Sequence, residues 1–478
     1  MGKRRRYIEP FETEIESLGP RGVGLGTAPD GRTVAVRGAP PGSRIFVQPA
    51  GLRKGRWNGR RKAMIRPPAD YAPPACPQFG LCGGCTLQEL SLDGQAREKH
   101  AMALRDVHAA RGEGTPFTAH PTRHAGAAYA YRNKVELSFG PTRYLSEADH
   151  ERNLPLDGKF LGFHAPGRFD RVVDTPHCAL ISEPMNALLQ TTREVALAAS
   201  APAPWDQRAH EGFLRHLVLR EGQHTGQLLV VVHTSRVDHQ PFMEQLAEAL
   251  MATALPPTHR VVGVVWRVHE GVSDVATGPI EQVWGTPSLQ ERLGPITYTL
   301  SPDTFFQTNT PGALVLYDTI AAALPETTAT LVDLYCGVGA IGLYLADRCE
   351  RLWGFEVVER AIVNARETAK AHGITHATFE AGKVEACLDE IAALPGPRAI
   401  IVDPPRAGLH PSVARMLAQA SGEVLIYVAC KPGSLGRDAA ILESGRWQLE
   451  STWTVDLFPQ TGHVEMVARF IPRQPTTS

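Results

Sequence analysis

The sequence contains no apolar run approaching the ~18–20 residues that a membrane-spanning helix requires. Its basic start, MGKRRRYIEP, is not followed by the apolar stretch of a secretory signal peptide. Internal repeats and long low-complexity tracts are also absent. These absences predict a soluble, cytoplasmic, globular protein with no membrane partner, and we expect a monomer. A length of 478 residues predicts two or three domains.

Cysteine is scarce, because eight cysteines in a chain of this length are too few for a disulfide scaffold. Cys76, Cys82 and Cys85 nevertheless form a C-x5-C-x2-C cluster, and Cys178 could supply a distant fourth thiolate. Structural zinc usually uses two C-x2-C pairs, and the second pair is missing. Four thiolates suit a [4Fe–4S] cluster, for which we expect a structural role. Zinc and buried cysteines without a ligand are the alternatives.

Net charge is close to zero, at −1, but it is unevenly distributed. Residues 1–70 carry 15 Lys or Arg against 6 Asp or Glu, so the rest of the chain is acidic. A basic segment favours a polyanionic partner such as RNA, because Lys and Arg release the counterions condensed on phosphates. A solvated basic tail without a partner is the alternative.

Three regions differ in their patterns. Short strand-like runs separated by turns predict a small antiparallel barrel over residues 7–66, and a helix is expected over residues 86–111. Residues 125–290 are predicted to be β-rich. We therefore divide the chain into a β-barrel that binds RNA (1–70), an iron–sulfur segment with a β-rich middle domain (71–295) and a methyltransferase domain (296–478).

Residues 330–470 alternate apolar strand-like and helix-like runs, which predicts an α/β domain with a parallel sheet covered by helices on both faces. Residues 447–459 and 463–470 are expected to form an antiparallel hairpin that closes the sheet. The predicted fold is a Rossmann-like α/β domain preceded by a small barrel and a β-rich middle domain.

A cofactor site is predicted where the first of these strands ends. Gly337 and Gly339 follow the strand in DLYCGVG, and Glu356 ends the next strand. Glycines allow the backbone to approach a ligand, and a carboxylate at the second position can bind ribose hydroxyls. The third glycine of a dinucleotide fingerprint is missing, which favours S-adenosylmethionine over NAD. An ordinary tight turn is the alternative.

Two further strands end in polar residues that would face the same crevice. Asp403 opens the rigid DPPR loop, for which a purely structural turn is the alternative. Cys430 ends the strand LIYVAC and is followed by Lys431. A cysteine on an apolar strand is often a core residue, but cationic surroundings would favour its thiolate.

A cysteine beside a methyl donor suggests methylation of uracil at carbon 5. Thiolate addition at carbon 6 makes carbon 5 nucleophilic, and a base must later remove the carbon-5 proton. We predict Cys430 as the nucleophile and Glu465, in FPQTGHVEMV, as the base. A surface glutamate on a strand is the alternative for Glu465.

Six motifs occur in an order that resembles the bacterial RNA (uracil-5-)-methyltransferase family: GGCTLQ, FFQTN, DLYCGVGAIGLYLA, VDPPRAGL, YVACKPGSLGRD and FPQTGHVEMV. The resemblance implies the roles given to Cys430 and Glu465, and it implies an N-terminal TRAM domain. The cysteine spacing resembles the iron–sulfur branch that acts on 23S rRNA. The residues that the resemblance implies as S-adenosylmethionine contacts are Gln307, Tyr335, Gly337, Gly339, Glu356 and Asp403.

Some features depart from the family pattern or leave alternatives open. Ala340 stands where relatives often have a polar side chain, and Lys383 stands where they often have Asp or Asn, so we expect no side-chain cofactor contact from either. Arg406 and residues 131–134 are candidate RNA contacts. The alternative functions are a tRNA uridine-5 methyltransferase, a non-catalytic RNA-binding iron–sulfur protein and an amino-group methyltransferase, which would not need Cys430.

Overall fold

A computed structural model of the protein describes residues 8–385, 393–394 and 396–473. Its N-terminal strands close into a five-stranded barrel with the order β1-β2-β3-β5-β4. Side chains that alternate along β1 point into the barrel, where Ile15, Val34 and Trp57 are buried. The glycine-rich β2 and the arginine-rich β5 were not predicted, because neither has an apolar strand pattern. The strands are β1 (Phe11–Gly19), β2 (Val23–Thr27), β3 (Thr33–Arg37), β4 (Arg44–Arg53) and β5 (Arg56–Arg66).

The central part of the chain contains most of the antiparallel strands. Its elements are α1 (Leu92–Arg111), β6 (Thr118–His124), β7 (Lys134–Thr142), α2 (Glu147–Glu151), β8 (Asp157–His164), β9 (Val172–Asp174), α3 (Glu183–Ala196), β10 (Leu214–Gly222), β11 (Gln227–Thr234), α4 (Gln240–Met251), β12 (Arg260–Val268), β13 (Ile280–Gly285), β14 (Leu289–Leu293) and β15 (Ile296–Leu300). Seven of these strands form one sheet with the order β13-β12-β11-β10-β7-β8-β9.

The predicted helix over 86–111 begins later, at Leu92. Ser91 caps α1 by accepting a hydrogen bond from the Gly94 N–H. The backbone N–H groups of Thr86 and Leu87 bind the carbonyl of Gln460 instead of entering the helix. The segment before the cap therefore contacts a distant loop rather than adding a turn to α1.

The C-terminal part alternates helices and strands as predicted. Its elements are α5 (Thr310–Ala323), β16 (Thr328–Leu334), α6 (Ala340–Tyr344), β17 (Cys349–Glu356), α7 (Glu359–Ala371), β18 (Ala377–Ala381), β19 (Arg398–Val402), α8 (Pro411–Gln419), β20 (Val424–Ala429), α9 (Pro432–Glu443), β21 (Trp447–Asp456) and β22 (Glu465–Pro472). They build an eight-stranded sheet with the order β18-β17-β16-β19-β20-β22-β21-β6.

Both faces of this sheet are covered, which confirms the predicted α/β fold. Helices α5 and α7 pack on one face, and α1, α8 and α9 pack on the other. The antiparallel pair β21–β22 is present, but it does not close the sheet, because β22 inserts beside β20 and β6 adds to β21 as the edge strand. The polar sequence of β6, TAHPTRH, gives no sign of this position.

None of the helices in the described ranges has both the length and the apolar character that crossing a membrane requires.

Candidate functional site

Cys430 and Glu465 meet at the carboxyl edge of the parallel strands. Strand β22 runs antiparallel to β20, and the last aligned pair is Ala429 with Met466. Continuing this register by one residue places Cys430 directly opposite Glu465. Asp403 follows the neighbouring strand β19 at the same edge. The fold therefore brings together a thiol and two carboxyl groups that are far apart in the sequence.

Burial and like charges raise the pKa of both central groups. The pKa of Glu465 is raised well above its usual value by desolvation and then by Asp403. Burial, followed by Glu465, raises the pKa of the Cys430 thiol to about 11. The expected cationic surroundings are only partly present, because Arg406 lowers both pKa values but does not offset burial. Burial therefore favours the protonated thiol of Cys430 over its thiolate.

The loop after β19 is held against β20 by Asp438, a residue that the sequence analysis did not single out. One oxygen of the buried Asp438 carboxylate accepts hydrogen bonds from the Leu409 N–H and the Tyr427 hydroxyl, both at 2.7 Å. On the same loop, a guanidinium nitrogen of Arg406 lies 3.0 Å from Nδ1 of His463. His463 stands two residues before Glu465 in the sequence. Asp438 and His463 stand inside two of the quoted motifs, which was the signal available for finding them.

The glycine turn after β16 forms an open cradle. Gly337 has a φ of +56°, and a Cβ atom added there would meet no atom within 4 Å. Gly339 has a φ of +73°, and a Cβ atom there would lie 2.8 Å from the Phe379 ring. Gly337 thus leaves space above the turn, whereas Gly339 allows close packing below it. Tyr335 also has a positive φ, of 64°, and is half-buried.

Glu356 fixes this turn through its carboxylate. One oxygen accepts a hydrogen bond from the Gly337 N–H at 3.2 Å, and the other accepts one from the Val358 N–H at 2.9 Å. Asp333 lies beneath the turn, where one oxygen binds the Gly342 N–H at 2.9 Å and the other has no partner within the described residues. Burial raises the pKa of both Asp333 and Asp403 to about 7.

The residues around Gln307 link the middle sheet to this edge. The Asn133 side chain donates to the backbone carbonyl of Gln307 and to the Thr310 hydroxyl, both at 2.9 Å. Asn309 caps α5 and donates to the carbonyl of Leu457. Gln307 therefore lies in a loop that is bound on both sides. Ala340 begins α6, and Lys383 follows β18.

A basic group surrounds His463 at the mouth of the crevice. After burial, the charges of Arg406, Lys99, Arg132 and Arg21 lower the pKa of His463 to about 4. Within residues 131–134, Tyr131 and Asn133 are buried and bound to neighbouring loops, so they are not exposed RNA contacts. Only Arg132 and Lys134 are half-exposed there.

The four clustered cysteines line one pocket. Cys76, Cys82, Cys85 and Cys178 are unpaired, half-buried and share an open cavity of about 540 Å³. Burial raises the pKa of Cys82 to about 11 and of Cys85 to about 12. No group of three or more His, Cys, Asp or Glu side chains in the described part of the chain is arranged to hold a metal ion.

Known proteins are similar to this chain over nearly its whole length. An uncharacterized RNA methyltransferase of Chlorobaculum tepidum is 36% identical, covering 98% of this chain and 97% of its own. Another, from Caldanaerobacter subterraneus, is 33% identical, covering 96% and 98%. The tRNA (uracil-5-)-methyltransferase family model matches residues 396–470, and the methyltransferase small domain model matches residues 308–425.

The chain belongs to the RNA (uracil-5-)-methyltransferase family. The structure of this methyltransferase resembles that of the Pyrococcus abyssi tRNA (uracil-54, C5)-methyltransferase in complex with S-adenosyl-L-homocysteine. The two have a TM-score of 0.71 and 26% identity, covering 94% of this chain and 99% of the other. The protein is an S-adenosylmethionine-dependent RNA methyltransferase. A non-catalytic RNA-binding protein is thereby excluded.

Proposed function

We propose that the protein methylates carbon 5 of a specific uridine in RNA through a covalent bond between Cys430 and carbon 6 of the base. The supporting observation is the strand register that sets Cys430 opposite Glu465, at the same end of the sheet as the glycine cradle and two strands away from it. The Cys430 thiol releases its proton to solvent water and the thiolate adds to carbon 6. Carbon 5 then takes the methyl group from S-adenosylmethionine, which leaves as S-adenosylhomocysteine. Glu465 then removes the carbon-5 proton, and the thiolate leaves.

This mechanism requires Cys430 as a thiolate and Glu465 as a carboxylate, so the pKa values of both groups matter. Both Cys430 and Glu465 have raised pKa values, and the positive charge of Arg406 opposes both increases. S-adenosylmethionine also carries a positive sulfonium charge, which the carboxylates of Asp333, Glu356 and Asp403 complement. We propose that the cradle holds this co-substrate through Gln307, Tyr335, Gly337, Gly339, Glu356 and Asp403.

Two variants test the separate roles of the nucleophile and the base. Cys430→Ala should give neither adduct nor product. Glu465→Gln should form the adduct and transfer the methyl group, then stall, because a glutamine cannot accept the carbon-5 proton. A denaturing gel would show a protein–RNA band for Glu465→Gln alone, with turnover reduced by about 10²–10⁴-fold. Turnover of Glu465→Gln at the wild-type rate without an adduct would show that another group is the base.

We further propose that Cys76, Cys82, Cys85 and Cys178 hold a [4Fe–4S] cluster with a structural role. Their convergence on one pocket as free thiols supports this assignment. A four-iron cluster binds each cysteine at a different iron, so its ligands need not converge on one point as they do around a single ion. Anaerobically purified protein should be brown and contain about four irons per chain. Stoichiometric zinc without iron would refute the assignment.

The proposed substrate is 23S rRNA, as the cysteine pattern suggests, and residues 1–70 are proposed to bind RNA as a TRAM-like barrel. A tRNA is the second candidate, because the similar Pyrococcus abyssi enzyme is named for tRNA uracil-54. Mapping 5-methyluridine in both RNAs from a deletion strain separates them. Loss of the modification from 23S rRNA alone is expected, whereas loss from tRNA alone would favour the second candidate.

A further inference from the structure

The loop between β21 and β22 (residues 457–464, the base loop) leads directly into Glu465. At its centre Gln460 has a left-handed backbone, with a φ of 68°, and is buried. The N–H groups of Thr86 and Leu87 donate to the Gln460 carbonyl at 2.8 and 3.0 Å. Because Thr86 follows Cys85 in the sequence, the first cysteine segment is attached to the base loop.

The second cysteine segment reaches the base loop through Tyr131. The Ala130 N–H donates to the Ala179 carbonyl at 2.9 Å, and the Arg132 N–H donates to the Leu180 carbonyl at 2.8 Å. Tyr131, between them, is 1% exposed, and its hydroxyl donates to the Pro459 carbonyl at 2.8 Å. The segment that begins at Cys178 is thus joined to the same loop from the opposite side.

We propose that Tyr131 is a positioning residue that couples the four-cysteine pocket to the base loop. Both cysteine segments are hydrogen-bonded, directly or through residues 130–132, to the adjacent carbonyls of Pro459 and Gln460. A group bound by all four cysteines fixes the two segments relative to each other, and Tyr131 transmits that constraint to the residues before Glu465. This inference rests on the proposed roles of the cysteines and of Glu465.

The test compares Tyr131→Phe with Tyr129→Phe in the full-length protein. Each change removes only a hydroxyl, and the Tyr129 hydroxyl lies near the backbone of Ala75, on the cysteine side, rather than near the base loop. Hydrogen–deuterium exchange of residues 457–464 is the readout and needs no RNA. In Tyr131→Phe, exchange there should rise about fivefold or more, because a buried carbonyl loses its donor. Tyr129→Phe should match the wild type.

Removing one cysteine from the pocket tests the coupling itself. Cys178→Ser should increase base-loop exchange in the wild-type background and increase it much less in the Tyr131→Phe background, since both changes act along one path. Oxidative removal of iron from the intact protein provides the same comparison if Cys178→Ser does not fold. Additive effects, or unchanged exchange in Tyr131→Phe, would overturn the coupling.

These outcomes are separate from the proposed catalytic roles. An iron-free protein would refute the cluster, yet the Tyr131→Phe exchange would still report on the contact between Tyr131 and the base loop. With RNA, Tyr131→Phe should accumulate the covalent adduct as a partial form of the Glu465→Gln block. Equal loss of adduct and product would instead indicate a general structural defect.

Discussion

We predict that Asp333, Glu356 and Asp403 set the charge of the crevice proposed to bind the methyl donor. Burial raises the pKa of Asp333 and Asp403 to about 7, and we expect both to change protonation near neutral pH. An ionised carboxylate attracts the cationic S-adenosylmethionine, whereas the product S-adenosylhomocysteine has a neutral sulfur. The same groups can therefore favour the substrate over the product, to an extent that depends on pH.

We predict that the affinity for S-adenosylmethionine rises with pH through about 7, because the carboxyl groups are neutral below that value and charged above it. The affinity for S-adenosylhomocysteine should change much less. Calorimetric titration of both ligands between pH 5.5 and 8.5, a range of about 1.5 units on each side, provides the measurement. Asp403→Asn should flatten the first curve. Identical pH profiles for both ligands would contradict the charge argument.

The positions of residues at the ends of apolar strands could be predicted from the sequence. Hydrogen bonds between residues that are distant in the sequence could not. Asp403 and Cys430 each end an apolar strand, so the position of each at the crevice followed from the α/β pattern. The catalytic role of Cys430 and the cofactor contact of Asp403 are not tested by the structure and stay predictions. Asp438 and Tyr131 contact loops that are remote in sequence, and only the tertiary structure reveals those hydrogen bonds.

At the scale of single elements, the turn between β16 and α6 contains two glycines with different roles. Gly337→Ala and Gly339→Ala impose similar strain, because both positions have positive φ. Only Gly339→Ala also drives a Cβ atom into Phe379. We predict that Gly339→Ala loses about 1–3 kcal/mol more unfolding free energy than Gly337→Ala.

Thermal and denaturant unfolding, with and without S-adenosylhomocysteine, would measure this difference. Gly337→Ala should remain folded but be stabilised less by the ligand than the wild type, because its methyl group enters the open cradle. Equal stability losses for the two variants, with ligand stabilisation unchanged, would be inconsistent with these roles.

Helix α1 is joined to the end of β21 by a buried ion pair. Lys99 Nζ lies 2.7 Å from Asp456, and the Lys99 side chain has no exposed surface. Lys99→Met leaves the Asp456 carboxylate buried without its partner, so unfolding free energy should fall by about 3–5 kcal/mol. Lys62→Met, which breaks an exposed pair with Glu147, should leave the unfolding free energy nearly unchanged, because solvent screens the pair. Urea unfolding of both variants measures the contrast, and equal losses would contradict it.

The strands that could not be predicted from the sequence are stabilised mainly by tertiary contacts. Strand β6 is polar and exposed along much of its length, yet it pairs with β21 through backbone hydrogen bonds. Strand β5 carries arginines on the outside of a closed barrel. The buried strands β19 and β20 were predictable because both faces of the sheet are covered and their sequences are apolar throughout.

At the scale of the whole molecule, the barrel touches the base loop. A Cβ atom added to Gly462, in the base loop, would lie 2.0 Å from the Gly22 nitrogen. Arg37 donates to the Gly83 carbonyl at 2.7 Å, and Arg61 binds the Glu89 carboxylate through two hydrogen bonds. Deleting residues 1–70 would therefore disturb the base loop as well as remove charge, so charge must be tested by substitution.

The tip of the β4–β5 hairpin offers such a test, because Arg53, Lys54 and Arg56 are all exposed there. Changing these three residues to Gln should weaken RNA binding and leave S-adenosylmethionine binding unchanged. If all three contact phosphates, the slope of log affinity against log salt should become shallower by about 2, at ~0.7 per charge for single-stranded RNA. Fluorescence anisotropy with a labelled RNA at several salt concentrations gives this slope.

A matched control removes three exposed positive charges from the eight-stranded sheet, at the amino ends of its parallel strands. Arg351 is the exposed third residue of β17, Lys370 lies in the last turn of α7, and Arg446 precedes β21. All three therefore lie at the opposite end of the strands from Cys430. Both triple variants lower the net charge equally, which separates local contact from long-range attraction. Only the hairpin variant should change the slope. An unaltered slope in that variant, or equal changes in both, would show that the basic hairpin is a solvated surface and that RNA binds elsewhere.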